Sequence, residues 1–167
     1  MLRTKSVSVQ ELAQALGIST MSLNRRAHEI EIAGGPPGQG KANVLTFDQA
    51  LLLGLIGLIK KVGGRTMEIN LKILTENLRK DLNVDRQRFR NSTVLVMHKG
   101  VGDFQIFLTE DPDAALKYMQ NNMSLVSTFP VERVYRTVET LFDKVKGKLP
   151  GLTSGELLLK TIARKIG

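Results

Sequence analysis

The sequence predicts a mainly α chain with small β elements, of the α+β class, on three observations. Capping boxes at Ser8-Val-Gln-Glu11, Thr46-Phe-Asp-Gln49 and Thr153-Ser-Gly-Glu156 each precede apolar residues at helical spacing. Two β-rich runs, residues 93–97 (TVLVM) and 104–108 (FQIFL), flank a turn signal made by Gly100, Gly102 and Asp103. Residues 33–42 (AGGPPGQGKA) hold too many glycines and prolines for helix or central strand and read as a loop. The 167 residues suffice for one ordinary domain or two small ones.

Each element follows from local chemistry. The first capping box opens a helix at about residue 8 with Leu12, Ala13 and Leu16 on its inner face, and Gly17 ends it. Ser19 caps a second helix from Thr20 to about Ile30, with Leu23, Ala27 and Ile30 apolar. Residues 43–47 (NVLTF) read as a short strand, and residues 48–62 as an apolar helix stopped by Gly63-Gly64. Helical spacing resumes over residues 66–82 with Ile69, Ile73 and Leu74 as its apolar positions. After the hairpin, Asp111-Pro112 gives a cap and a first-turn proline, so 112–122 reads as helix. Residues 124–129 read as a strand, the stretch from Pro130 as an amphipathic helix, and the stretch from residue 154 as a last helix. The expected organisation is an N-terminal unit at 1–75, a linker or connecting helix at 76–92, and an α+β dimerisation or effector domain at 93–167.

Composition narrows the function classes. The formal net charge is +8, from 24 Lys/Arg against 16 Asp/Glu, which favours polyanionic partners. The excess lies at the ends: residues 1–65 carry eight Lys/Arg against four Asp/Glu, residues 66–125 eight against eight, and residues 126–167 eight against four. With no cysteine, the chain cannot build a disulfide framework, a thiolate metal site or a cysteine nucleophile. Two histidines, His28 and His98, leave little material for a His-rich metal centre or a Ser-His triad. No phosphate-binding Gly motif, HExxH or nucleophile elbow is present, so neither an enzyme nor a bound cofactor or metal is expected. The N-terminus lacks the apolar block of a secretory signal, and the uncharged window 50–59 is about half of the roughly 20 residues that cross a bilayer. A cytoplasmic chain without a membrane segment is the expectation.

The informative stretch is V-x-x-L-A-x-x-L-G-I-S at residues 9–19, followed by T-x-S-L-N-R-R. Leu12, Leu16, Ile18 and Leu23 pack two short helices together, Ala13 is small where they cross, and Gly17 permits the tight turn. This is helix-turn-helix spacing, which offers the second helix, residues 20–30, to the DNA major groove. The residues off its apolar face are Thr20, Ser22, Asn24, Arg25, Arg26 and His28, nearly all able to hydrogen-bond a base edge or a phosphate. The Gly/Pro-tipped segment 33–44 reads as a wing, with Gln39, Lys41 and Asn43 reaching the minor groove or backbone.

With these residues in place, 8–75 resembles a winged helix-turn-helix of the MerR-like and excisionase-like superfamily. The matching stretches are LAQALGIS and NVLTFDQALLLGLIGLIKKVG, where a wing is followed by a strand, an apolar helix and another helix. The chain departs from MerR sensors in carrying Asn24-Arg25-Arg26 in place of paired aromatics, in lacking a long heptad helix, and in lacking cysteine ligands. The resemblance implies a bacterial or phage regulator that binds double-stranded DNA in a sequence-specific manner. The alternative is a DNA architectural or packaging factor, excisionase-like or small-terminase-like, on the same fold. A homodimer or higher homo-oligomer is expected, with the helix 130–146 and the last helix as its contacts.

Weaker signals complete the reading. Arg86, Arg88 and Arg90 form an alternating basic run that reads as a solvated linker face. Arg133, Arg136, Lys144, Lys146 and Lys148 add positive charge along the helix from Pro130 and beyond it. Phe104, Phe107, Phe129, Tyr135 and Phe142 read as core ahead of an effector pocket, and Glu110-Asp111-x-Asp113 as a helix start ahead of a Mg²⁺ site. His98 is expected in a turn, exposed and inert.

Overall fold

A computed structural model describes residues 6–32, 44–64, 67, 69–100, 103–120 and 125–147. The described residues are mainly helical with two small antiparallel sheets. A two-residue strand, β1 (Val7–Ser8), pairs with β2 (Val44–Leu45), placing Val7 opposite Leu45. The pairing escapes sequence reading because two residues show no periodicity. Ser8 is also the cap of α1 (Val9–Leu16), whose capping box is complete: Ser8 Oγ accepts from the Glu11 amide and Glu11 Oε2 accepts from the Ser8 amide. Gly17 closes α1 at φ +66°, a left-handed conformation that glycine adopts without penalty. Ser19 then caps α2 (Thr20–Glu29) by accepting from the Ser22 amide at 3.2 Å.

Helix α3 (Phe47–Gly63) is the centre of the molecule. The Thr46 capping box expected from sequence starts it, and all ten residues from Ala50 to Ile59 except Leu58 are buried. A helix apolar on every side has to be surrounded. Two glycines let its neighbours come close: a Cβ on Gly54 would lie 3.0 Å from Leu16 Cδ1 and 3.0 Å from Val134 Cγ1, and one on Gly57 would lie 2.7 Å from Leu23 Cδ1 and 3.0 Å from Ile18 Cδ1. Gly54 thus receives α1 and α7 (Val131–Gly147), and Gly57 receives α2 and the turn before it.

The fourth helix corrects an expectation. It begins at Leu71 and not at 66, because the Asn70 side chain accepts from the Ile73 amide and caps it there, giving α4 (Leu71–Val84). Its buried face is Leu71, Thr75, Leu78 and Leu82, while Ile73, expected inward, is 59% exposed. Asp85 ends α4 and its carboxylate caps a further short helix, α5 (Arg86–Arg90), by accepting from the Arg88 amide. The stretch expected as a solvated basic run is exposed at Arg86 and Arg88, and it is also an ordered helix whose arginines meet acids. Arg86 pairs with Asp48 at 2.8 Å, Arg88 with Glu110 at 3.0 Å, and Arg90 with both Glu132 at 2.6 Å and Glu139 at 3.2 Å. Arg90 also lies 4.4 Å from the Tyr135 ring centroid, and Phe47 packs edge-on to the same ring.

A three-stranded antiparallel sheet follows, with β3 (Thr93–Gly100) between β4 (Asp103–Thr109) and β5 (Leu125–Pro130). Alternation along β3 sends Val94 and Val96 into the main core, while Leu95 and Met97 pack beneath Ala115 of α6 (Pro112–Gln120). Helix α7 is pinned at its start by the Val131 amide, which donates to the Ser92 carbonyl at 2.9 Å. Val131, Val134, Val138 and Phe142 of α7 are buried in the same core as Leu12, Leu23 and Ile56. The apolar stripe of this helix, expected to face a second subunit, is spent inside the chain. One core joins the segments assigned above to separate N- and C-terminal units. The last helix expected from residue 154 lies outside the described residues.

Two outcomes test this packing. Gly57→Ala gains about 1 kcal/mol of helix propensity but overpacks Leu23 and Ile18 at a cost of about 1–3 kcal/mol, so urea unfolding is expected to show a net loss of about 1 kcal/mol; a more stable variant would refute the close approach. Hydrogen bonds from Arg90 and then Arg136 hold the Glu132 carboxyl down to about 2 from an ordinary 4.5. A depressed carboxylate contributes stability that is complete above its ordinary value and is lost as pH falls through the folded one. Unfolding followed from neutral pH downward should therefore lose stability between about 4.5 and 2. Glu132→Gln should remove that part of the loss, and an unchanged acid limb in the variant would contradict it.

Candidate nucleic-acid interface

Helix α2 lies between the core and solvent, and its side chains divide accordingly. Leu23 and Ala27 are buried against α3. Ser22, Arg25 and His28 are exposed, Thr20 and Asn24 are half-buried, and Met21 is 81% exposed. Met21, two positions before Leu23 and so on the opposite side of α2, is an exposed apolar residue outside the set expected from sequence. Arg26 turns back toward the molecule: its side chain is 18% exposed, and Nη1 donates to both Glu29 oxygens at 2.9 and 2.8 Å. Arg25 meets the same carboxylate more loosely, at 3.6 Å, and its side chain is 75% exposed. Of the nine residues expected to contact DNA, six lie on this helix; Gln39, Lys41 and Asn43 lie outside the described residues, as does most of the expected wing.

A cleft of about 740 Å³ opens beside the start of α2, bounded by the turn after α1 and the C-terminal end of α3. Gly57, Lys60 and Lys61 stand at i, i+3 and i+4 on α3, so the two lysines share the face on which Gly57 admits α2. Lys61 Nζ reaches across to the Gly17 carbonyl at 3.0 Å, and Lys60 Nζ donates to the Met67 carbonyl at 2.8 Å. Burial pushes the Lys60 ammonium below its ordinary range, repulsion from Arg26 adds to the push, and Glu29 opposes it. Neither lysine is among the site residues expected from sequence. The signal that finds them is their spacing from Gly57.

The remaining candidates fall elsewhere. Arg86, Arg88, Arg90 and Arg136 are committed to carboxylates. A second cleft, about 440 Å³, is lined by Asp81, Asp85, Glu110 and Asp111 around Arg88 and so has the opposite sign. Within the acidic triplet, Asp111 caps α6 by accepting from the Ala114 amide and Glu110 holds Arg88, which uses both structurally. No group of three acids or histidines is placed to hold a metal among the described residues. Phe129, Tyr135 and Phe142 are core, Phe107 is 40% exposed, and the five aromatics do not converge on one pocket. His98 corrects the sequence reading: it sits on β3 opposite Phe104, its ring 4.5 Å from that ring, with Nε2 buried and without a hydrogen-bond partner. No helix among the described residues is long and apolar enough to cross a membrane.

No protein-family model and no curated protein sequence matches this chain.

Proposed function

We propose that the chain is a sequence-specific double-stranded DNA-binding regulator of bacterial or phage type, with α2 as the helix that enters the major groove. The observation that carries the reading is the division of α2: Leu23 and Ala27 hold it to α3 while Ser22, Arg25 and His28 face solvent along one flank. A helix fixed in this way matches the width of the major groove, and serine, arginine and histidine side chains supply donors to base edges and phosphates. Arg25 is the residue assigned to a base, because its guanidinium is exposed and its one carboxylate partner is 3.6 Å away. Glu29 pre-orients it without neutralising it through a close contact. The wing, residues 33–44, and its contacts through Gln39, Lys41 and Asn43 belong to the same reading.

One such module buries only about 600–1,000 Å² of its own surface on DNA, so the reading includes a homodimer on two half-sites about 34 Å apart. With the apolar stripe of α7 buried, the contacts between copies are assigned to other surfaces.

Selection of random duplexes by the purified protein yields the preferred site, and fluorescence anisotropy on that site tests the assignment. Arg25→Ala should weaken specific binding by about 1–3 kcal/mol while leaving the thermal unfolding temperature unchanged. If the wild-type protein shows no saturable binding to any duplex at low salt, or if Arg25→Ala binds the selected site as tightly, the reading is wrong.

A further inference from the structure

We propose that the cleft between the first turns of α2 and the C-terminal end of α3 is a phosphate-binding site. Its donors are Arg25, Arg26, Lys60 and Lys61 together with the hydroxyls of Ser19 and Ser22. Among the described residues one carboxylate, Glu29, pairs with any of these four cations, and it serves both arginines. The two ammonium groups are held by carbonyls, so their charge is positioned but not cancelled. The local balance is thus four positive groups against one negative, a concentration that costs self-repulsion unless an anion enters. Burial first, and then repulsion from Arg26, holds the Lys60 ammonium below its ordinary range.

Hydrogen-bonding capacity points the same way. Arg26 Nε is buried and makes no hydrogen bond, a condition shared among the described residues with His98 Nε2 on β3. Ser19 Oγ accepts from the Ser22 amide, which leaves its own proton to donate. The polar side chains that line the cleft are cations and hydroxyls, and the positive end of a ten-residue helix adds to them. A phosphate group, with up to two negative charges and several acceptor oxygens, matches this set better than a single carboxylate. The volume lies within the roughly 300–1,000 Å³ of small-ligand sites. The phosphate comes either from a duplex backbone, in which case the inference rests on the DNA reading above, or from a free phosphorylated compound, in which case it stands without it.

The test is an amide chemical-shift titration of the full chain with inorganic phosphate, inorganic tripolyphosphate and a short random-sequence duplex. The expected result is saturable shifts confined to residues 17–22, Gly57 and Gly64 with at least one probe. The double variant Lys60→Gln/Lys61→Gln should weaken them about tenfold or more. Lys61→Gln alone, a change at an exposed side chain, keeps the test open if the double variant unfolds, and should weaken them in the same direction. Saturation by tripolyphosphate without a duplex response assigns a free phosphate compound and ends the DNA reading alone. Shifts produced by the duplex and not by the small anions assign the backbone. Duplex shifts at Arg25 and His28 that spare Gly57 and Gly64 would retain DNA binding and overturn the site. Unsaturable shifts with all three probes, equal responses at Lys72 and Arg79, or lysine variants that bind as well as wild type would also overturn it.

Discussion

Burial of α3 on all its sides is the constraint from which the other features follow. An apolar helix of this length needs partners on every face, and four helices and the central strand of the larger sheet supply them. Gly54 and Gly57 set how near those partners come, one toward α1 and α7 and the other toward α2. Each glycine sacrifices up to about 1 kcal/mol of helix propensity, which closer packing of buried leucine and valine side chains offsets. The position of α2, and hence the outlook of its polar flank, is a consequence of the second glycine. The lysines one turn later on that face are brought to the start of α2 by the same geometry.

Charge is sorted within this frame. The net charge of +8 says only that anions are favoured, not where. Arginines of α5 close ion pairs that tie it to α3, to Glu110 just after β4 and to α7, and Arg90 joins two glutamates and an aromatic face. Such pairs consume positive charge in structure, although exposed pairs stabilise only weakly one by one. At the other end of α3, Lys60 and Lys61 meet carbonyls. Beside α2, therefore, Arg25, Arg26, Lys60 and Lys61 share one carboxylate partner, Glu29, among the described residues.

Much of the secondary structure was readable in advance because its signals are local. The capping boxes at Ser8 and Thr46, the turn at Gly17 and the strand runs around residues 93–109 each depend on residues within one turn or hairpin. Where the reading failed, a competing contact decided. Helix α4 starts at Leu71 because Asn70 caps it there, and its buried face is Leu71, Thr75, Leu78 and Leu82. The run at 86–90 was taken for a solvated stretch since nothing local reveals Asp48, Glu110, Glu132 or Glu139 as its partners, three of them more than 35 positions away. His98 was misplaced because β3 continues past the residues of high strand propensity, held by its pairing with Phe104. The polar flank of α2 was visible as residue types, but the inward turn of Arg26 and the arrival of two lysines from α3 required the packing. Helix-turn-helix spacing points to residues 20–28 alone, because nothing local to 60 and 61 places them beside α2.

In the proposed function, the outer flank of α2 and the adjoining end of α3 form the surface that meets DNA. Hydrogen–deuterium exchange of the protein, free and saturated with duplexes, measures that surface directly. Slowed exchange is expected at residues 17–29 and 57–64, with the sheet of β3, β4 and β5 unchanged. Protection centred on that sheet, or none at α2 in a demonstrably bound sample, would contradict it.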